Sequence, residues 1–244
     1  MKVYGLIGKN IDYSFSKKYF TEHFANTNAT DCIYENFDLS SIDDFSSVLQ
    51  SHPDLAGLNV TIPYKESIIP HLHSLSKKAT VIGAVNVIRF KKNGKIKGYN
   101  SDYFGFKKAI QPLVQTYHRR ALILGTGGSS KAVAFALEEL DIPCTFVSRT
   151  SQRNCITYDR INATTFDNFQ IVVNCTPLGT SPDVAEFPPI PYQFFTDKHL
   201  AFDLIYNPEE TQFLKRAQQH GAITKNGQDM LVFQAEKAWK IWNK

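Results

Sequence analysis

The chain has 244 residues, of which 43% are hydrophobic and 20% charged, and its formal net charge is +4. These values are typical of an ordinary soluble globular protein, long enough for one large domain or two small ones. Because the charge is mild and the basic residues are scattered, nucleic-acid binding has little support, whereas a small anionic substrate or a phosphate-bearing cofactor suits the composition.

The cysteines and the N-terminal segment indicate the compartment. The four cysteines form no C-x-x-C pair and are interpreted as free thiols of a reducing compartment; they are Cys32, Cys144, Cys155 and Cys175. Residues 2–8 begin directly with a strand-like run, so we expect no signal peptide, and no apolar stretch approaches the roughly 18 residues of a membrane span. We therefore expect a cytoplasmic, soluble protein with no membrane or nucleic-acid partner, either a monomer or a homodimer.

Strand-like and helix-like segments alternate through the first hundred residues. We predict strands over 2–8 and 33–39 and a third strand leading to Lys65, with helices over 17–26, after Ser41 and over about 66–76. The stretch Ser40-Ser41-Ile42-Asp43-Asp44 contains the S-x-x-D spacing of a capping box that opens a helix. Residues 84–90 and 95–99 flank Asn93-Gly94, the strongest short signal for a hairpin. The pattern predicts a mostly parallel sheet with an antiparallel excursion.

The second half of the chain has the pattern of another α/β unit. After a helix from Asp102 to about Tyr117, we predict strands over 121–124, 145–148, 171–174 and 200–204 and helices over 131–140, 209–220 and 228–242. Residues 151–170 are weakly periodic and predict no full crossover helix.

Lys65 lies at the end of a predicted strand, where open α/β sheets bind their ligands. The preceding Pro63 is suited to open a helix as its first residue. A lysine at such a place can hold or protonate an oxygen if a second group orients it. Asp102, at a predicted helix start, is a candidate for that group. Each also has an ordinary explanation, since Lys65 suits a surface turn and Asp102 a helix cap.

A glycine turn, Gly125-x-Gly127-Gly128, lies between a predicted strand and a predicted helix, the context of a dinucleotide fingerprint. Glycines at this place let the backbone approach a pyrophosphate bound at the helix N-terminus. The pattern is imperfect because its sixth position is Ser130. A tight turn without a ligand is the alternative.

The end of the next predicted strand indicates which cofactor is bound. Ser148, Arg149 and Thr150 stand there with Arg153 nearby and no carboxylate. An acidic residue would bind the ribose 2′-hydroxyl of NAD, whereas arginine accommodates a 2′-phosphate. The residues favour NADP over NAD, the alternative being a basic surface turn.

Other chemistries have weaker support. His71-x-His73 falls in a predicted helical pattern, where alternate residues point to different faces, so we predict no metal site. The chain has no G-x-S-x-G element of the hydrolase type.

Taken together in chain order, the motifs resemble the shikimate dehydrogenase family over nearly the whole chain. The matching stretches are Gly8 through Ser14-x-Ser16, 59–65, 83–86, Asn100-x-Asp102, the glycine turn, Arg149-Thr150, 174–179, Asp203-Leu204-Ile205-Tyr206-x-Pro208, and Asn226-Gly227 through Gln234. Each stretch alone is weak, but nine in the same order are highly specific.

The resemblance implies an α/β protein of two domains that reduces 3-dehydroshikimate reversibly to shikimate with NADP, a step of chorismate and aromatic amino-acid biosynthesis. It implies a substrate-binding and catalytic domain over 1–102 plus 228–244 and a Rossmann-like NADP-binding domain over 103–227, with the C-terminal helix returning to the first domain. The implied catalytic pair is Lys65 and Asp102. The implied substrate residues are Ser14, Ser16, Thr61, Lys65, Asn86, Asp102 and Gln234. The implied cofactor residues are Gly125, Gly127, Gly128, Arg149, Thr150, Arg153, Asn174, Thr176, Leu204, Tyr206 and Gly227.

The chain departs from the family at a few positions, and rival functions remain. Asn10 and Tyr13 stand where proline and histidine are usual, Lys17 replaces a proline, Ser148 replaces an asparagine, and the segment after Arg153 is short. One rival is a quinate or quinate/shikimate dehydrogenase that uses NAD. The other is a non-catalytic sensor of a shikimate-pathway metabolite.

Overall fold

The computed structural model describes residues 1–12, 14–91 and 93–244. It divides into two compact units, which we call the first unit (residues 1–101 and 235–244) and the second unit (residues 102–234). The departure noted at Tyr13 lies outside the described residues.

The first unit contains a six-stranded sheet. Its strands are β1 (Lys2–Gly8), β2 (Cys32–Asp38), β3 (Leu55–Val60), β4 (Ser74–Leu75), β5 (Val87–Phe90) and β6 (Ile96–Tyr99), in the order β2-β1-β3-β5-β6-β4. β1 runs parallel to β2 and β3, whereas β5 is antiparallel to both β3 and β6. The predicted parallel sheet with an antiparallel excursion is confirmed.

Short helices flank this sheet: α1 (Phe15–Asn26), α2 (Phe45–Ser51) and α3 (Lys77–Ile82). The predicted capping box is present, because the Ser41 side chain accepts a backbone N–H and the Asp44 side chain accepts the N–H of Ser41. It opens a 3₁₀ turn over Ile42–Asp44 that continues into α2.

The helix predicted over 66–76, with Pro63 as its opening residue, is wrong. Residues 62–68 form turns, Ile69–His71 a 3₁₀ turn, and the chain then enters β4. Pro70 lacks a backbone N–H and its ring crowds the preceding turn, so a helix cannot continue through it. His73 lies past that turn and its Nδ1 accepts the N–H of Ile96. Lys65 is therefore held in a turn instead of the start of a helix.

The second unit contains a six-stranded, all-parallel sheet. Its strands are β7 (Ala121–Leu124), β8 (Cys144–Ser148), β9 (Cys155–Thr157), β10 (Ile171–Asn174), β11 (Leu200–Asp203) and β12 (Ile223–Lys225), in the order β12-β11-β10-β7-β8-β9. This order reverses beside β7, as in Rossmann-type sheets, and the reversal creates a crevice at the carboxyl ends of the strands.

The remaining helices are α4 (Asp102–Ile110), α5 (Gly128–Glu138), α6 (Ala163–Asn168), α7 (Gln212–Gln219) and α8 (Gln228–Trp242). α4 ends seven residues earlier than predicted because Pro112 allows only a 3₁₀ turn over Gln111–Leu113. α6, with six residues, is the only α-helix described within 151–170, where we predicted no full crossover helix.

The C-terminal helix α8 passes from the second unit into the first between Gln234 and Ala235. Within the first unit, Trp242 packs over Gly57, where a Cβ would lie 2.4 Å from the indole. Its Nε1 donates to the Ile88 carbonyl over 3.0 Å. These contacts confirm the predicted return of the C-terminal helix to the first domain.

None of the helices in the described part of the chain combines the length and the apolarity needed to span a membrane.

Candidate active site

In the first unit, backbone hydrogen bonds hold the turn that carries Thr61 and Lys65. The N–H of Thr61 donates to the Ile7 carbonyl of β1 over 2.8 Å, and the N–H of Tyr64 donates to the Thr61 carbonyl over 2.9 Å. The N–H of Val85 donates to the Lys65 carbonyl over 2.7 Å. Thr61 and Lys65 are thus positioned at the carboxyl edge of β1 and β3, as predicted for a ligand site in such a sheet.

A chain of buried polar groups fixes Asn86 beside this turn. The Tyr34 hydroxyl donates to Asn59 Oδ1 over 2.8 Å, and Asn59 Nδ2 donates to the Asn86 carbonyl over 3.2 Å. Asn86 Nδ2 donates to Ser101 Oγ over 3.0 Å, while its Oδ1 accepts the N–H of Ser101 over 2.6 Å. All four side chains are buried. Since both ends of the Asn86 amide are engaged, its orientation is set.

Ser16 lies near the Tyr34 hydroxyl of this network. Burial raises the pKa of the Tyr34 hydroxyl, and the Ser16 hydroxyl, its side-chain hydrogen-bonding neighbour, opposes that rise. Ser16 lies in the first turn of α1 and is half-buried. The first unit therefore places Ser16, predicted to hold the substrate carboxylate, near the buried network that holds Asn86, predicted to bind a ring hydroxyl.

Ser14 is the N-cap of α1, and its Oγ accepts the N–H of Lys17 over 3.2 Å. This leaves its O–H proton available to a ligand oxygen. The lysine that replaces a proline supplies the N–H for this cap. Asn10 has a left-handed φ of +56°, which asparagine tolerates, and Asp38 accepts its N–H over 3.0 Å.

In the second unit, Asp102 and Gln234 are buried on helices that pack closely. α4 meets α8 at Gly105, where a Cβ would lie 2.5 Å from the Met230 carbonyl and 3.0 Å from Gln234 N. Glycine at this position lets Gln234 approach α4 within one turn of Asp102. Lys65 and Asp102 lie in different units, so their pairing remains a prediction.

The glycine turn follows β7 and opens α5. Gly125 has φ +105°, which favours glycine, and its N–H donates to the Val147 carbonyl over 3.0 Å. Gly127 is the N-cap of α5, and a Cβ on it would meet no atom within 4 Å. Gly128, the first residue of α5, is half-buried. The start of α5 is thus open at Gly127, and the first turn of a helix is where backbone N–H groups can receive a phosphate, which fits the predicted pyrophosphate site.

The turn after β8 is held by Ser148, whose Oγ accepts the N–H of Thr150 over 3.3 Å. A serine supports such a turn as an asparagine would, so this departure from the family pattern preserves the local geometry. Arg149, Thr150 and Arg153 are exposed. Burial raises the pKa of Tyr158, and the positive charge of Arg149 opposes the rise. Two exposed guanidinium groups with no carboxylate between them suit a 2′-phosphate.

The remaining predicted cofactor residues lie at the carboxyl ends of three strands: Asn174 and Thr176 at β10, Leu204 and Tyr206 at β11, and Gly227 at β12. Asn174 Oδ1 accepts the Thr176 hydroxyl over 2.7 Å. Gly227 packs on the segment carrying Leu204 and Tyr206, since a Cβ on it would lie 2.1 Å from the Leu204 carbonyl oxygen. Only glycine fits that contact.

The structure also shows polar residues to which sequence reasoning assigned no role. Tyr34, Asn59 and Ser101 form the network around Asn86, and Asp203 forms another beside Asn174. The available signal was a polar side chain at the end of an apolar strand, as in Asn59 and Asp203. Tyr34 gave no such signal, because tyrosine is common in strands.

An all-parallel sheet of Rossmann order, with an open glycine turn after β7 and an arginine-bearing turn after β8, places the chain in the class of Rossmann-like dehydrogenases. Residues 6–88 match the family model described as the shikimate dehydrogenase substrate binding domain. The chain is 36% identical to the shikimate dehydrogenase (NADP(+)) of Clostridium botulinum over 98% of this chain and 95% of that protein. It belongs to the shikimate dehydrogenase family.

Solved structures agree with this assignment. The shikimate dehydrogenase of Aquifex aeolicus has a TM-score of 0.88 and 30% identity, covering 100% of this chain and 92% of that one. The Thermus thermophilus enzyme, solved in complex with NADP(H) and shikimate, has a TM-score of 0.87 and 28% identity, covering 99% and 93%.

Proposed function

We propose that this chain is an NADP-dependent shikimate dehydrogenase, which reduces 3-dehydroshikimate reversibly to shikimate in the route to chorismate and the aromatic amino acids. One observation carries the proposal: the family relationship spans both units, so the lysine-bearing turn and the open glycine turn occur in one chain.

The substrate is a small carboxylate with ring hydroxyls, and the first unit offers donors of matching type. Ser14 keeps a free O–H while capping α1, and Ser16 stands beside Tyr34, so both suit a carboxylate. In this proposal Thr61 and Lys65 bind the ring oxygens from the turn after β3, and Asn86 binds them from the segment before β5. Asp102 and Gln234 complete the substrate set.

The second unit holds the cofactor in this proposal. When bound, NADPH supplies the hydride for the ketone of 3-dehydroshikimate. The N-terminus of α5 binds the pyrophosphate next to Gly125, Gly127 and Gly128, and Arg149, Thr150 and Arg153 bind the 2′-phosphate. Asn174, Thr176, Leu204, Tyr206 and Gly227 border the nicotinamide half.

Lys65 acts as the electrophile and proton donor. Its ammonium group donates a hydrogen bond or a proton to the substrate oxygen as negative charge develops there, and Asp102 orients the ammonium and binds the neighbouring hydroxyl. A preorganised donor of this kind is worth about 3–4 kcal/mol of transition-state stabilisation. The roles correspond to a substrate-binding domain over 1–102 plus 228–244 and an NADP-binding domain over 103–227.

Absorbance at 340 nm tests the proposal directly. Purified protein is mixed with shikimate or quinate, each with NADP⁺ or NAD⁺. We expect strong reduction with shikimate and NADP⁺ only. Reduction with NAD⁺ and quinate would instead identify a quinate dehydrogenase. Silence in all four mixtures, from a protein that still binds shikimate, would identify a metabolite sensor.

The proposal also covers the cellular location and the oligomeric state of the protein. The four cysteines are free, which suits the proposed cytoplasmic location. Light scattering during size-exclusion chromatography distinguishes a monomer from a homodimer.

A further inference from the structure

A buried carboxylate, Asp203, lies at the carboxyl edge of the second unit's sheet and has no role in the function proposed above. It is the last residue of β11, and the parallel register pairs it with Asn174, the last residue of β10. Its exposed fraction is 0%. An ionised carboxylate is costly to bury unless donors satisfy it, so its place requires a physical explanation.

Three donors from three segments converge on this carboxylate. The Thr211 hydroxyl donates to Oδ2 over 2.6 Å, Asn174 Nδ2 donates to Oδ1 over 3.1 Å, and the N–H of Ile205 donates to Oδ1 over 3.0 Å. The Thr211 oxygen accepts the N–H of Leu214 as the N-cap of α7, which directs its proton toward Asp203. Asp203 thereby joins β10, the segment after β11 and the start of α7.

Asn174 passes this constraint to the segment after β10. Its Oδ1 accepts both the N–H of Thr176 over 3.0 Å and the Thr176 hydroxyl over 2.7 Å. Because Asp203 holds Nδ2, the Asn174 amide cannot turn over without losing the bonds at both of its ends. The Thr176 hydroxyl oxygen in turn accepts the N–H of Leu178 over 3.4 Å.

The segment after β11 is constrained by the same carboxylate. Asp203 holds the N–H of Ile205, whose carbonyl accepts the N–H of Gly227 over 2.9 Å. The N–H of Leu204 donates to the Asn174 carbonyl over 3.0 Å. Both segments that border the cofactor in the proposed function are therefore oriented from one buried group.

We propose that Asp203 is a positioning residue for the cofactor, which holds the 174–176 and 204–206 segments in their binding geometry through Asn174 and Ile205. The inference rests on the proposed function, because the residues that Asp203 orients are proposed cofactor contacts. Asp203 itself accepts hydrogen bonds from one backbone N–H and two side chains, and it takes no part in the chemical step.

Two substitutions test the network in the full-length protein. Asp203→Asn keeps the shape and Oδ1 but places an NH₂ group against the Thr211 hydroxyl. Thr211→Val removes one donor and keeps the β-branched shape. The control is Asn162→Ala, which removes the capping box of α6 in the same unit and has no bond to Asp203. Calorimetry gives the Kd for NADP⁺ and for shikimate, and hydrogen exchange monitors the amides of Thr176 and Ile205.

Both test variants are expected to bind NADP⁺ about tenfold more weakly, since a buried hydrogen-bonding group loses its partner. The Thr176 and Ile205 amides should exchange faster, while the Kd for shikimate stays at the wild-type value. Asn162→Ala should lower the melting temperature and leave both dissociation constants unchanged.

Wild-type NADP⁺ affinity and amide exchange in both test variants would overturn the inference, and so would an equal loss of NADP⁺ affinity in Asn162→Ala. These outcomes leave the proposed function intact. A wild-type protein that binds neither NADP⁺ nor shikimate would instead refute the proposed function, and the inference with it.

Discussion

The Tyr34 hydroxyl donates a hydrogen bond to the side-chain oxygen of Asn59 over 2.8 Å in the interior of the first unit. Asn59 then holds the backbone of Asn86, so a tyrosine on β2 orients an asparagine on the segment before β5. Buried hydrogen bonds of this kind specify a single arrangement of the polar groups they join. Asn86, a proposed substrate residue of the first unit, is thus held by side chains that are buried away from solvent.

Tyr34→Phe tests this support. Removing the hydroxyl leaves Asn59 Oδ1 without its donor, which costs about 1–3 kcal/mol of stability. Because Asn59 holds Asn86, part of this loss should appear as weaker substrate binding. We expect the KM for shikimate to rise about fivefold to tenfold with the KM for NADP⁺ unchanged.

Tyr192→Phe is the control for Tyr34→Phe. It also removes a buried hydroxyl, in the second unit, whose hydrogen bond goes to the Pro188 carbonyl over 2.9 Å. Its KM for shikimate should equal that of the wild type. Equal KM values in the two variants would show that Tyr34 contributes stability alone.

Lys65→Ala and Asp102→Ala test the catalytic pair. Loss of a donor that acts in the transition state lowers kcat by about a hundredfold or more and changes KM less. Steady-state kinetics in the direction of shikimate oxidation give both constants. Lys91→Ala, which removes an exposed lysine of the hairpin, serves as the control. Near-normal turnover in both Lys65→Ala and Asp102→Ala would refute the assignment.

Arg149→Ala tests the choice of cofactor. If the guanidinium binds the 2′-phosphate, its loss raises the KM for NADPH about tenfold and barely changes that for NADH, which has no such phosphate. Arg119→Ala removes the same charge from an exposed position just before β7, at the amino edge of the sheet, and should change neither constant. An equal rise in KM for NADPH and NADH would mean that Arg149 does not bind the 2′-phosphate.

Gly127→Ala tests the open glycine turn. The backbone there has φ −77°, and a Cβ would meet nothing within 4 Å, so the substitution should leave the melting temperature unchanged. The added methyl group would occupy the position proposed for the pyrophosphate, and we therefore expect NADP⁺ affinity to fall about tenfold or more. Gly227→Ala provides the contrast, because its Cβ clashes with the Leu204 carbonyl and should destabilise the fold. Unchanged affinity in Gly127→Ala would place the pyrophosphate elsewhere.

Asp203 predicts a specific pH dependence of stability. Burial raises the pKa of its carboxyl from 3.8 to about 6, against the opposing hydrogen bonds of Thr211, Ile205 and Asn174. The native state therefore binds this proton more tightly than the unfolded state, and the contribution to stability is full below pH 4 and is lost as the pH rises to about 6. Tyr192, which interacts with this charge, stays protonated over that range because burial raises its pKa.

Denaturant unfolding of the wild type and of Asp203→Asn between pH 4 and 7 measures this effect. The wild type should lose up to about 3 kcal/mol relative to the variant across the range, which is the free-energy equivalent of the pKa shift. Parallel pH profiles for the two proteins would show that the carboxyl titrates normally.

Local patterns in the sequence were sufficient to predict much of the fold. β1, β7 and α8 have the predicted bounds, and the hairpin between β5 and β6 forms across Asn93-Gly94. Each is determined by residues close in sequence, through apolar periodicity or turn chemistry. The glycine turn and the arginine turn were identified for the same reason, since each is a short contiguous motif beside a strand.

Tertiary structure decided what depends on strand register and on packing. The segment after Lys65 has helical periodicity. It forms no α-helix, because Pro70 lies in a 3₁₀ turn and the chain then pairs as β4 with β6. Asp203 meets Asn174, 29 residues away, because β10 and β11 are adjacent and in register. β2 and β3 are separated by one strand, β1, and the Tyr34 side chain is long enough to cross it and reach Asn59. Such contacts follow from the arrangement of strands in space, which no local stretch of sequence contains.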